Sequence, residues 1–359
     1  MVEFVVRVPE GTPPDRGVFL AGDGPLGGWR AAGVPLHRGH DGAFRARLEL
    51  PPGFRGSYLV TLGRWRDAES DGHGHEVCPR ELHADGPPVL EAHVRGWDQT
   101  SVEYHHDFRS RFLPHARTVC VWLPPGYGAH RDRRYPVLYL HDGQNLFDAH
   151  TAFGGNPWGA DEVAECEVRA GRVPPLILVG VANTPDRLHE YGPQRCGRGR
   201  AHDRSRAYGR FLVEEVRPLI DALYRTRPEP ECTGVGGSSM GGLISLHLCK
   251  WYPNVFGKCA ALSPSLWWDR EYFLRTVRVS PDWLDTCRIW LDVGDNEAGT
   301  KAGSAATMGR TRRLAELLAR RGLKDGERYA YTEVPGGGHS ERSWGARFDL
   351  VLRFLFAPR

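Results

Sequence analysis

The feature that most restricts the fold of this chain is a change of hydrophobic rhythm after its first third. From about Arg117, near-continuous apolar runs alternate with longer segments of helical spacing; the runs include TVCVWL, PVLYLHDG, LILVGVAN, CAALS and RIWLDVG. Strands that are apolar on both faces are typical of parallel sheets covered by helices on both sides. The sequence therefore predicts a mostly parallel α/β domain over residues 117–359.

The first part of the chain has a different rhythm. Up to about Trp97, short runs alternate between apolar and polar residues and are separated by Gly, Pro and Asp, as in VEFVVRV, AFRARLEL and SYLVTLG. Such alternation with closely spaced turns is typical of a small β-sandwich. We therefore predict an all-β sandwich at residues 1–97, a connecting segment at residues 98–116 and the α/β domain after it.

Composition excludes some classes of partner. The 359 residues carry a formal net charge of +3, which is too close to neutral to indicate nucleic acid or a membrane as partner. No apolar run approaches the ~18 residues of a membrane span, and the N-terminus lacks the pattern of a signal peptide. The eight cysteines show no CxxC or zinc-type spacing. We therefore expect reduced thiols in a cytoplasmic protein that uses no metal and no other cofactor.

One short motif indicates chemistry. The run GSSMG, from Gly237 to Gly241, has G-x-S-x-G spacing between a strand-like and a helix-like segment. This is the spacing of a nucleophile elbow, in which a sharp strand-to-helix turn exposes the central serine, here Ser239. A serine hydroxyl needs a histidine as base and a carboxylate to orient that histidine. Alone, the motif also fits an ordinary glycine-rich loop, so the rest of the chain must decide.

The partners of Ser239 are expected at the ends of later strands. His339 lies in the glycine-rich stretch VPGGGHSERSW, after the strand-like YAYTEV, and is the predicted base. The acid is expected near the end of RIWLDVGDNEAG, where Asp292, Asp295 and Glu297 compete. Asp292 lies inside the strand run, where it suits a structural hydrogen bond. Residue chemistry does not rank the other two.

An ester hydrolase also needs two backbone N–H groups that bind the developing oxyanion. Met240, directly after the nucleophile, is one candidate donor. Gln144 is the other, because it follows Gly143 in the loop after the strand-like PVLYLHDG. A solvent-exposed turn is the alternative interpretation of this loop.

With these segments identified, the second part of the chain resembles the Putative esterase family, which includes enterochelin esterases, S-formylglutathione hydrolases, feruloyl esterases and mycolyltransferases. The matching stretches run in family order across about residues 110 to 356: LPPGYGAHRDRRYPVLYLHDGQNLFD, DRLHEYGP, FLVEEVRPLIDALYRT, GGSSMGGLIS, ALSPSLWW, LDVGDNE and GGGHSERSW. The resemblance implies an α/β-hydrolase fold, with Ser239 as nucleophile, His339 as base and oxyanion donors at Met240 and Gln144.

The resemblance also favours Glu297 as the acid. Family members commonly place it a few residues beyond the glycine that ends this strand, which is Gly294 here. We expect Asp295 and Asn296 to form a turn and to bond their own backbone, so that Glu297 reaches His339. Asp295 is the second choice for the acid.

The N-terminal stretch VFLAGDGPLGGWRAAGVPLHR is similar to the start of a starch-binding type carbohydrate-binding module, and YLVTLGRWRDAES to its next strands. A lysine common in such modules is Leu59 here, and there is no clear second stacking tryptophan at the family's spacing. Trp29 and Trp65 have rings that suit stacking on a sugar or a catechol. Core or interdomain packing is nevertheless the favoured interpretation of both.

Three features are candidates for substrate binding. Trp267 and Trp268 in SPSLWWD are expected to face the nucleophile's side of the sheet, and Arg187 in NTPDRLHEYGP follows another strand. The loop RCGRGRAHDRSR is either a binding surface for an anionic aromatic ligand or a solvated lid. Its arginines are Arg195, Arg198, Arg200, Arg204 and Arg206.

The leading prediction is a serine esterase that cleaves a small-molecule ester, with the ester backbone of a siderophore as the substrate that the likeness to enterochelin esterases implies. A sugar-ester hydrolase that removes feruloyl or acetyl groups is the alternative enzyme. The non-enzymatic alternative is a glycan-binding protein whose hydrolase half has become a scaffold. The expected ligand chemistry is thus carbohydrate or catecholate, and the intact Ser239, His339 and acidic candidates argue against the last alternative.

Overall fold

The computed structural model describes residues 1–71, 77–97, 102–128, 130–194, 203–279 and 282–358. The chain divides into two compact units. The first comprises Met1–Ser101, Leu123–Ala129 and Glu162–Val173; the second comprises Val102–Trp122, His130–Asp161 and Pro174–Arg359.

The first unit is built on β-strands. They are β1 (Val2–Arg7), β2 (Val18–Gly22), β3 (Val34–Arg38), β4 (Phe44–Leu48), β5 (Arg55–Thr61), β6 (Glu69–Ser70), β7 (Arg80–His83), β8 (Val89–His93) and β9 (Gly96–Trp97). Seven of them form a sheet in the order β7-β5-β2-β3-β4-β1-β8, and β6 pairs with β9. All pairs are antiparallel except β1 with β8.

The core of this sheet shows how it is folded. Alternate residues of β1 (Val2, Phe4 and Val6) pack in one buried cluster with Tyr58 and Val60 of β5. The rings of Phe4 and Tyr58 meet edge to face with their centroids 5.3 Å apart. Because β2, β3 and β4 separate β5 from β1 in the sheet, this contact requires the sheet to fold over on itself, as in a sandwich. The predicted all-β first part is confirmed.

Two tryptophans of the first unit are core residues. Trp29 and Trp65 are 4% and 2% exposed, and their rings stack with centroids 6.2 Å apart. The Trp29 indole also donates to Asp23 Oδ1 at 2.9 Å. Both rings therefore pack in the core, which is the interpretation that the sequence favoured. The resemblance of this part to a carbohydrate-binding module stays a prediction.

The second unit contains an eight-stranded sheet. Its strands are β10 (Val102–Phe108), β11 (Arg117–Trp122), β12 (Val137–His141), β13 (Ile177–Val181), β14 (Thr233–Ser238), β15 (Lys258–Leu262), β16 (Arg288–Asn296) and β17 (Tyr329–Gly338). Their order is β10-β11-β13-β12-β14-β15-β16-β17, antiparallel from β10 to β13 and parallel from there to β17. Every residue of β12, β13 and β14 is buried. This is the mostly parallel, two-sided sheet that the apolar runs predict.

Strand β10 lies within the segment that the sequence predicts as a connection. It pairs with β11 and forms the edge of the large sheet. The domain boundaries at residues 97 and 116 stay predictions.

Helices occupy most of the segments between these strands. They are α1 (Ala160–Arg169), α2 (Arg187–Tyr191), α3 (Ser205–Phe211), α4 (Arg217–Leu223), α5 (Met240–Trp251), α6 (Trp268–Val279), α7 (Lys301–Arg320), α8 (Glu341–Gly345) and α9 (Phe348–Phe356). A π-helical turn at Leu212–Val216 joins α3 to α4. Within the described residues, no helix combines the length and hydrophobicity that crossing a membrane requires.

The topology determines where polar side chains can meet. Parallel strands end at the same edge of a sheet, and sites in such sheets form at their carboxyl ends. At this edge the loop Gly143–Asn145 follows β12, Ser239 follows β14, Ser263 follows β15 and Glu297 follows β16.

Candidate active site

Ser239 occupies a strained turn between β14 and α5. Its φ of 56° and ψ of −119° lie in a region that residues other than glycine rarely adopt. Two nearby glycines provide the space for this turn, since a Cβ on Gly237 would lie 3.2 Å from backbone atoms of Gly241. Strand and helix therefore approach closely at the serine. This is the geometry of the elbow that the G-x-S-x-G spacing predicts.

Ser239, His339 and Glu297 form a continuous hydrogen-bonded chain. Ser239 Oγ lies 2.9 Å from His339 Nε2, and His339 Nδ1 lies 2.5 Å from Glu297 Oε2. An ionised carboxylate only accepts hydrogen bonds, so Nδ1 carries the proton and Nε2 offers its lone pair to the serine hydroxyl. The structure thus brings together the three residues that the sequence analysis selected.

Glu297 carries a charge although it is buried, with only 8% of its surface exposed. Its Oε1 accepts from the hydroxyl of Ser263 at 2.5 Å and from the N–H of Gly294 at 2.7 Å. Burial opposes ionisation, but the hydrogen bonds from His339, Ser263 and Gly294 outweigh it and lower the pKa of Glu297. The carboxylate beside the histidine is therefore stable in its charged form.

The strand before Glu297 is longer than expected. β16 does not end at Gly294 but continues for two more residues, with an irregular register against β17. The expected turn at Asp295 is therefore wrong, because pairing with β17 continues through this segment. Asp295 accepts from the N–H of Gly336 in β17 at 2.8 Å, not from its own backbone. Gly294 faces Gly337 so closely that a Cβ on it would lie 2.0 Å from the Gly337 carbonyl oxygen.

Ser263, which sequence reasoning missed, orients Glu297. Its Oγ accepts from Trp344 Nε1 at 3.1 Å and from an Nη of Arg347 at 2.8 Å. Because two N–H donors occupy its lone pairs, its single proton is directed to Glu297. The Trp344 ring also packs edge-on against the His339 imidazole, with centroids 4.9 Å apart.

A buried ion pair supports Ser263. The Nη of Arg347 that binds Ser263 also donates to Asp292 Oδ1 at 2.8 Å, and the two charged side chains are 4% and 0% exposed. The other oxygen of Asp292 accepts from Trp290 Nε1 at 2.7 Å. Asp292 therefore has the structural role that its place inside the strand suggested.

A cavity of about 740 Å³ opens beside Ser239 and His339. Polar, charged and aromatic residues line it, including Gln144, Phe153, Asn183, Arg187, Glu341 and Trp344. Of the residues predicted to bind substrate, Arg187 lines this cavity, whereas Trp267 and Trp268 are absent from its described lining. Trp267 is 50% exposed, and Trp268 packs so closely on Gly192 that a Cβ there would lie 2.5 Å from the indole.

Arg187 is held in place by Asp142. Its Nε and one Nη donate to the two oxygens of Asp142, each at 2.7 Å, and Asn183 Nδ2 donates to the same carboxylate at 2.6 Å. Burial works against the charge of Arg187, but the hydrogen bonds and charge of Asp142 raise its pKa. Because Asp142 offsets the charge of Arg187, the main contribution of Arg187 to the cavity is a fixed hydrogen-bonding group. Its contribution of net positive charge is small.

One candidate oxyanion donor directly follows Ser239, and the other lines the same cavity. Met240 is the first residue of α5, where helix N–H groups have no partner within the helix. Gln144 lies in a 3₁₀ turn and lines the same cavity as Ser239; its side-chain oxygen accepts from the Asn183 N–H at 3.1 Å. Their role as oxyanion donors stays a prediction.

Glu341 is a second carboxyl group of the site that sequence reasoning missed. It follows His339 by two residues and lines the cavity. Its Oε1 accepts from Asn145 Nδ2 at 2.9 Å and its Oε2 from Trp158 Nε1 at 2.6 Å. Burial raises the pKa of Glu341, in contrast to that of Glu297. The only indication of this role in the sequence was the position of Glu341 in GGGHSERSW, two residues after the histidine.

Part of the predicted basic loop can be located. Arg195, Arg198 and Arg200 lie outside the described residues. Arg204 pairs with Asp186, and Arg206 lies over the ring of Trp251, 3.8 Å from its centroid. These two cations are thus engaged with neighbours of their own.

The described acidic, histidine and cysteine side chains do not form a metal site. In the part of the chain that the structure describes, no group of three or more His, Cys, Asp or Glu residues is arranged to hold a metal ion. The seven cysteines in that part are free thiols. The prediction that catalysis needs no cofactor stays a prediction.

Comparison with known proteins identifies the family. A sequence model described as Putative esterase matches residues 110–355. The chain belongs to the Putative esterase family. This confirms the resemblance seen in the motifs, and the protein is accordingly a carboxylic ester hydrolase of α/β-hydrolase type.

Known proteins and solved esterase structures resemble the chain over much of its length. The uncharacterized protein YbbA of Bacillus subtilis is 26% identical over 248 residues, which are 67% of this chain and 92% of that protein. The iron(III) enterobactin esterase of Dickeya dadantii is 26% identical over 259 residues, 69% of this chain and 54% of that protein. The structure of the enterobactin esterase FES from Shigella flexneri has a TM-score of 0.55 at 18% identity, covering 98% of this chain and 92% of that one. The structural likeness shows a shared fold.

Proposed function

We propose that this esterase acts through a Ser239–His339–Glu297 triad and a covalent acyl-enzyme. The observation that supports it is the unbroken hydrogen-bonded chain from Glu297 through His339 to Ser239 Oγ, on a strained elbow. As Oγ attacks the ester carbonyl carbon, its proton passes to His339 Nε2. Glu297 keeps the imidazole in the required tautomer and stabilises the imidazolium that forms.

The remaining steps use the same groups. The backbone N–H groups of Met240 and Gln144 are the proposed donors to the oxyanion of the tetrahedral intermediate. When the intermediate collapses, the bond to the alcohol oxygen breaks and His339 gives that oxygen the proton. A water molecule, deprotonated by His339, then attacks the acyl-enzyme, and the carboxylic acid leaves as Ser239 recovers its proton.

Replacing the nucleophile tests this mechanism. Ser239→Ala should lower kcat for a p-nitrophenyl ester by roughly 10⁴-fold or more, since triad members act as a unit. The thermal melt should stay close to that of the wild type. A fluorophosphonate should label Ser239 in the wild type, as peptide mapping would show. Near-wild-type turnover by the variant, or labelling at another serine, would contradict the mechanism.

For the substrate we propose the ester backbone of a siderophore. Supporting relatives are the iron(III) enterobactin esterase described above and the ferri-bacillibactin esterase BesA of Bacillus subtilis, 25% identical over 226 residues. The cavity of about 740 Å³ is in the size range of sites for drug-sized ligands. Phe153, 80% exposed in its lining, offers a ring face to an aromatic acyl group, and Arg187 adds a polar group.

A sugar-ester hydrolase is the second candidate. An endo-1,4-beta-xylanase/feruloyl esterase of Xylanibacter ruminicola is 27% identical over 161 residues, and the exposed ring of Phe153 also suits a feruloyl group. A substrate panel separates the two: a catecholate siderophore with and without iron, methyl ferulate and an acetylated xylose. The highest kcat/KM on the siderophore supports the first candidate, and the highest on a ferulate or acetyl ester replaces it with the second.

Sugar binding by residues 1–97 and a cytoplasmic location are further predictions. A carbohydrate-binding role for residues 1–97 would need a surface other than Trp29 and Trp65, since both are core residues. A cytoplasmic location is expected from the cysteine pattern. A purely glycan-binding protein is disfavoured, because the chain belongs to an esterase family and its Ser–His–Glu chain is intact.

A further inference from the structure

Glu341 connects the segment that carries His339 to another part of the site. It is the first residue of α8 and lines the cavity beside Ser239. Its two oxygens accept from the side chains of Asn145 and Trp158, which are 5% and 6% exposed. Both atoms that face the carboxylate, Asn145 Nδ2 and Trp158 Nε1, are N–H donors.

The two donors belong to the loop that contains Gln144. Asn145 ends the 3₁₀ turn that begins at Gly143. The Asn145 carbonyl accepts from the Trp158 N–H at 2.9 Å, and Asn145 Oδ1 accepts from the Phe153 N–H at 3.0 Å. These bonds make the stretch from Gly143 to Trp158 one linked segment, which we call the oxyanion loop. Glu341 therefore ties the histidine segment to the oxyanion loop at two points.

We propose that Glu341 is a positioning residue that sets the spacing between His339 and the oxyanion loop, and that it does so only as a carboxylate. The inference rests on the proposed function, since it concerns the distance between the proposed base and the proposed oxyanion donor Gln144. A carboxylate accepts at both oxygens, whereas a protonated carboxyl group carries an O–H on one of them. Because Asn145 Nδ2 and Trp158 Nε1 both donate, an O–H on either oxygen leaves that oxygen a poorer acceptor, and protonation weakens one of the two ties.

The surroundings of Glu341 move this change toward neutral pH. Burial raises the pKa of Glu341; the bond from Trp158 lowers it, the charge of Asp142 raises it, and the charges of Arg187 and His339 lower it. The net direction is upward, so the carboxylate is lost nearer to neutral pH than for an ordinary glutamate. As the pH falls, activity should then decrease for two reasons. The contact between Glu341 and the oxyanion loop loosens, and the proposed base His339 becomes protonated.

Glu341→Gln tests the inference, because glutamine has one acceptor and one donor at every pH, as the protonated acid does. At pH 8 we expect kcat on a p-nitrophenyl ester, and the rate of labelling by a fluorophosphonate, to be about tenfold lower than in the wild type. KM should change by less than about twofold. The ratio of wild-type to variant rates should approach one as the pH falls and the wild-type residue becomes protonated.

Two other variants serve as controls. Glu333→Gln removes a carboxylate of β17 that pairs with Arg312 and lies outside the cavity lining, so both rates should match the wild type at every pH. Trp158→Phe removes one donor but keeps the charge of Glu341. In that variant the pKa of Glu341 should rise further, and the acid-side loss of labelling should move to higher pH.

Each outcome decides between the alternatives. A wild-type to Glu341→Gln ratio that is constant across pH shows a merely structural residue and overturns the inference. A wild-type to Glu341→Gln rate ratio of one at pH 8 also overturns the inference. If Glu341→Gln does not fold, the inference is overturned when Trp158→Phe loses its labelling rate at the same acid pH as the wild type. In all these cases an inactive Ser239→Ala variant leaves the proposed function standing. If wild-type Ser239 is not labelled at all, the proposed function and the inference fall together.

Discussion

Two carboxylates near His339, one buried and one half-buried, have pKa values that are shifted in opposite directions. Glu297 accepts from three donors, and its pKa is lowered; Glu341 accepts from two, has Asp142 nearby, and its pKa is raised. Glu297 is the more buried of the two, so burial alone does not decide the direction in which each pKa moves. The number of donors and the neighbouring charges decide it.

The difference separates the site into a closed region and an open one. Around Glu297, the groups are Ser263 and the ion pair of Arg347 with Asp292, all of them buried and outside the described lining of the cavity. Glu341 and its partner Asn145 line a cavity that a ligand can enter. We therefore expect the closed region to control the chemical step and the fold, and the open region to respond to pH and substrate.

The largest effect should come from the acid itself. Glu297→Gln should lower kcat by roughly 10²- to 10⁴-fold, because the amide no longer holds the imidazole in its required tautomer. Asp295→Asn is the matched control, since Asp295 binds only the Gly336 N–H among its described partners and should change kcat by no more than a few-fold. Both variants should be measured on one small ester with thermal melts. A greater loss of kcat in Asp295→Asn, with an unchanged melt, would make Asp295 the acid.

The next effect concerns stability. Arg347→Met should lower the free energy of unfolding by about 3–5 kcal/mol, because it leaves Asp292 buried and unpaired. Arg312→Met removes an exposed partner of Glu333, and the loss of stability should be much smaller, because solvent screens an exposed ion pair. Urea denaturation of both variants gives the comparison. Equal losses would show that the closed region does not depend on its buried ion pair.

A smaller effect is expected at Ser263. Ser263→Ala removes one of the bonds that lower the pKa of Glu297, and kcat should fall by roughly tenfold. A lowered carboxyl pKa stabilises the fold above the pKa of the unfolded chain, and that stabilisation is lost as the pH falls. In the variant the folded-state pKa of Glu297 is higher, so this loss should be smaller and should be complete at a higher pH. Thermal melts and kcat measured between pH 4 and 8 test this prediction. If kcat falls at the same acid pH in the variant as in the wild type, Ser263 does not contribute to the lowered pKa of Glu297.

The fold and the three residues of the Ser–His–Glu chain could be predicted because their signals are local. Apolar runs on both faces of a strand require a covered parallel sheet, and the elbow needs small residues at fixed spacing around Ser239. For Glu297, the choice over Asp295 came from the family resemblance. Local turn chemistry misplaced Asp295, since pairing of β16 with β17 overrides the preference of Asp-Asn for a turn.

The supporting residues had no such signal. Ser263, Arg347 and Glu341 are ordinary residue types, and their roles depend on side chains that are distant along the chain, as in the Ser263–Arg347 bond across 84 positions. The pair Trp267 and Trp268 suggested an aromatic wall, but Phe153 is the exposed ring in the cavity. Only the folded arrangement of loops determines which aromatic residue a substrate can meet.

The facing glycines Gly294 and Gly337 limit how this enzyme can change through mutation. A single methyl group at position 294 would meet a carbonyl oxygen at 2.0 Å, so β16 and β17 would have to separate. Glu297 and His339 would then move apart while both side chains remain in the sequence. An inactive natural variant can thus keep every catalytic residue type, and a survey that checks only for serine, histidine and glutamate would count it as active.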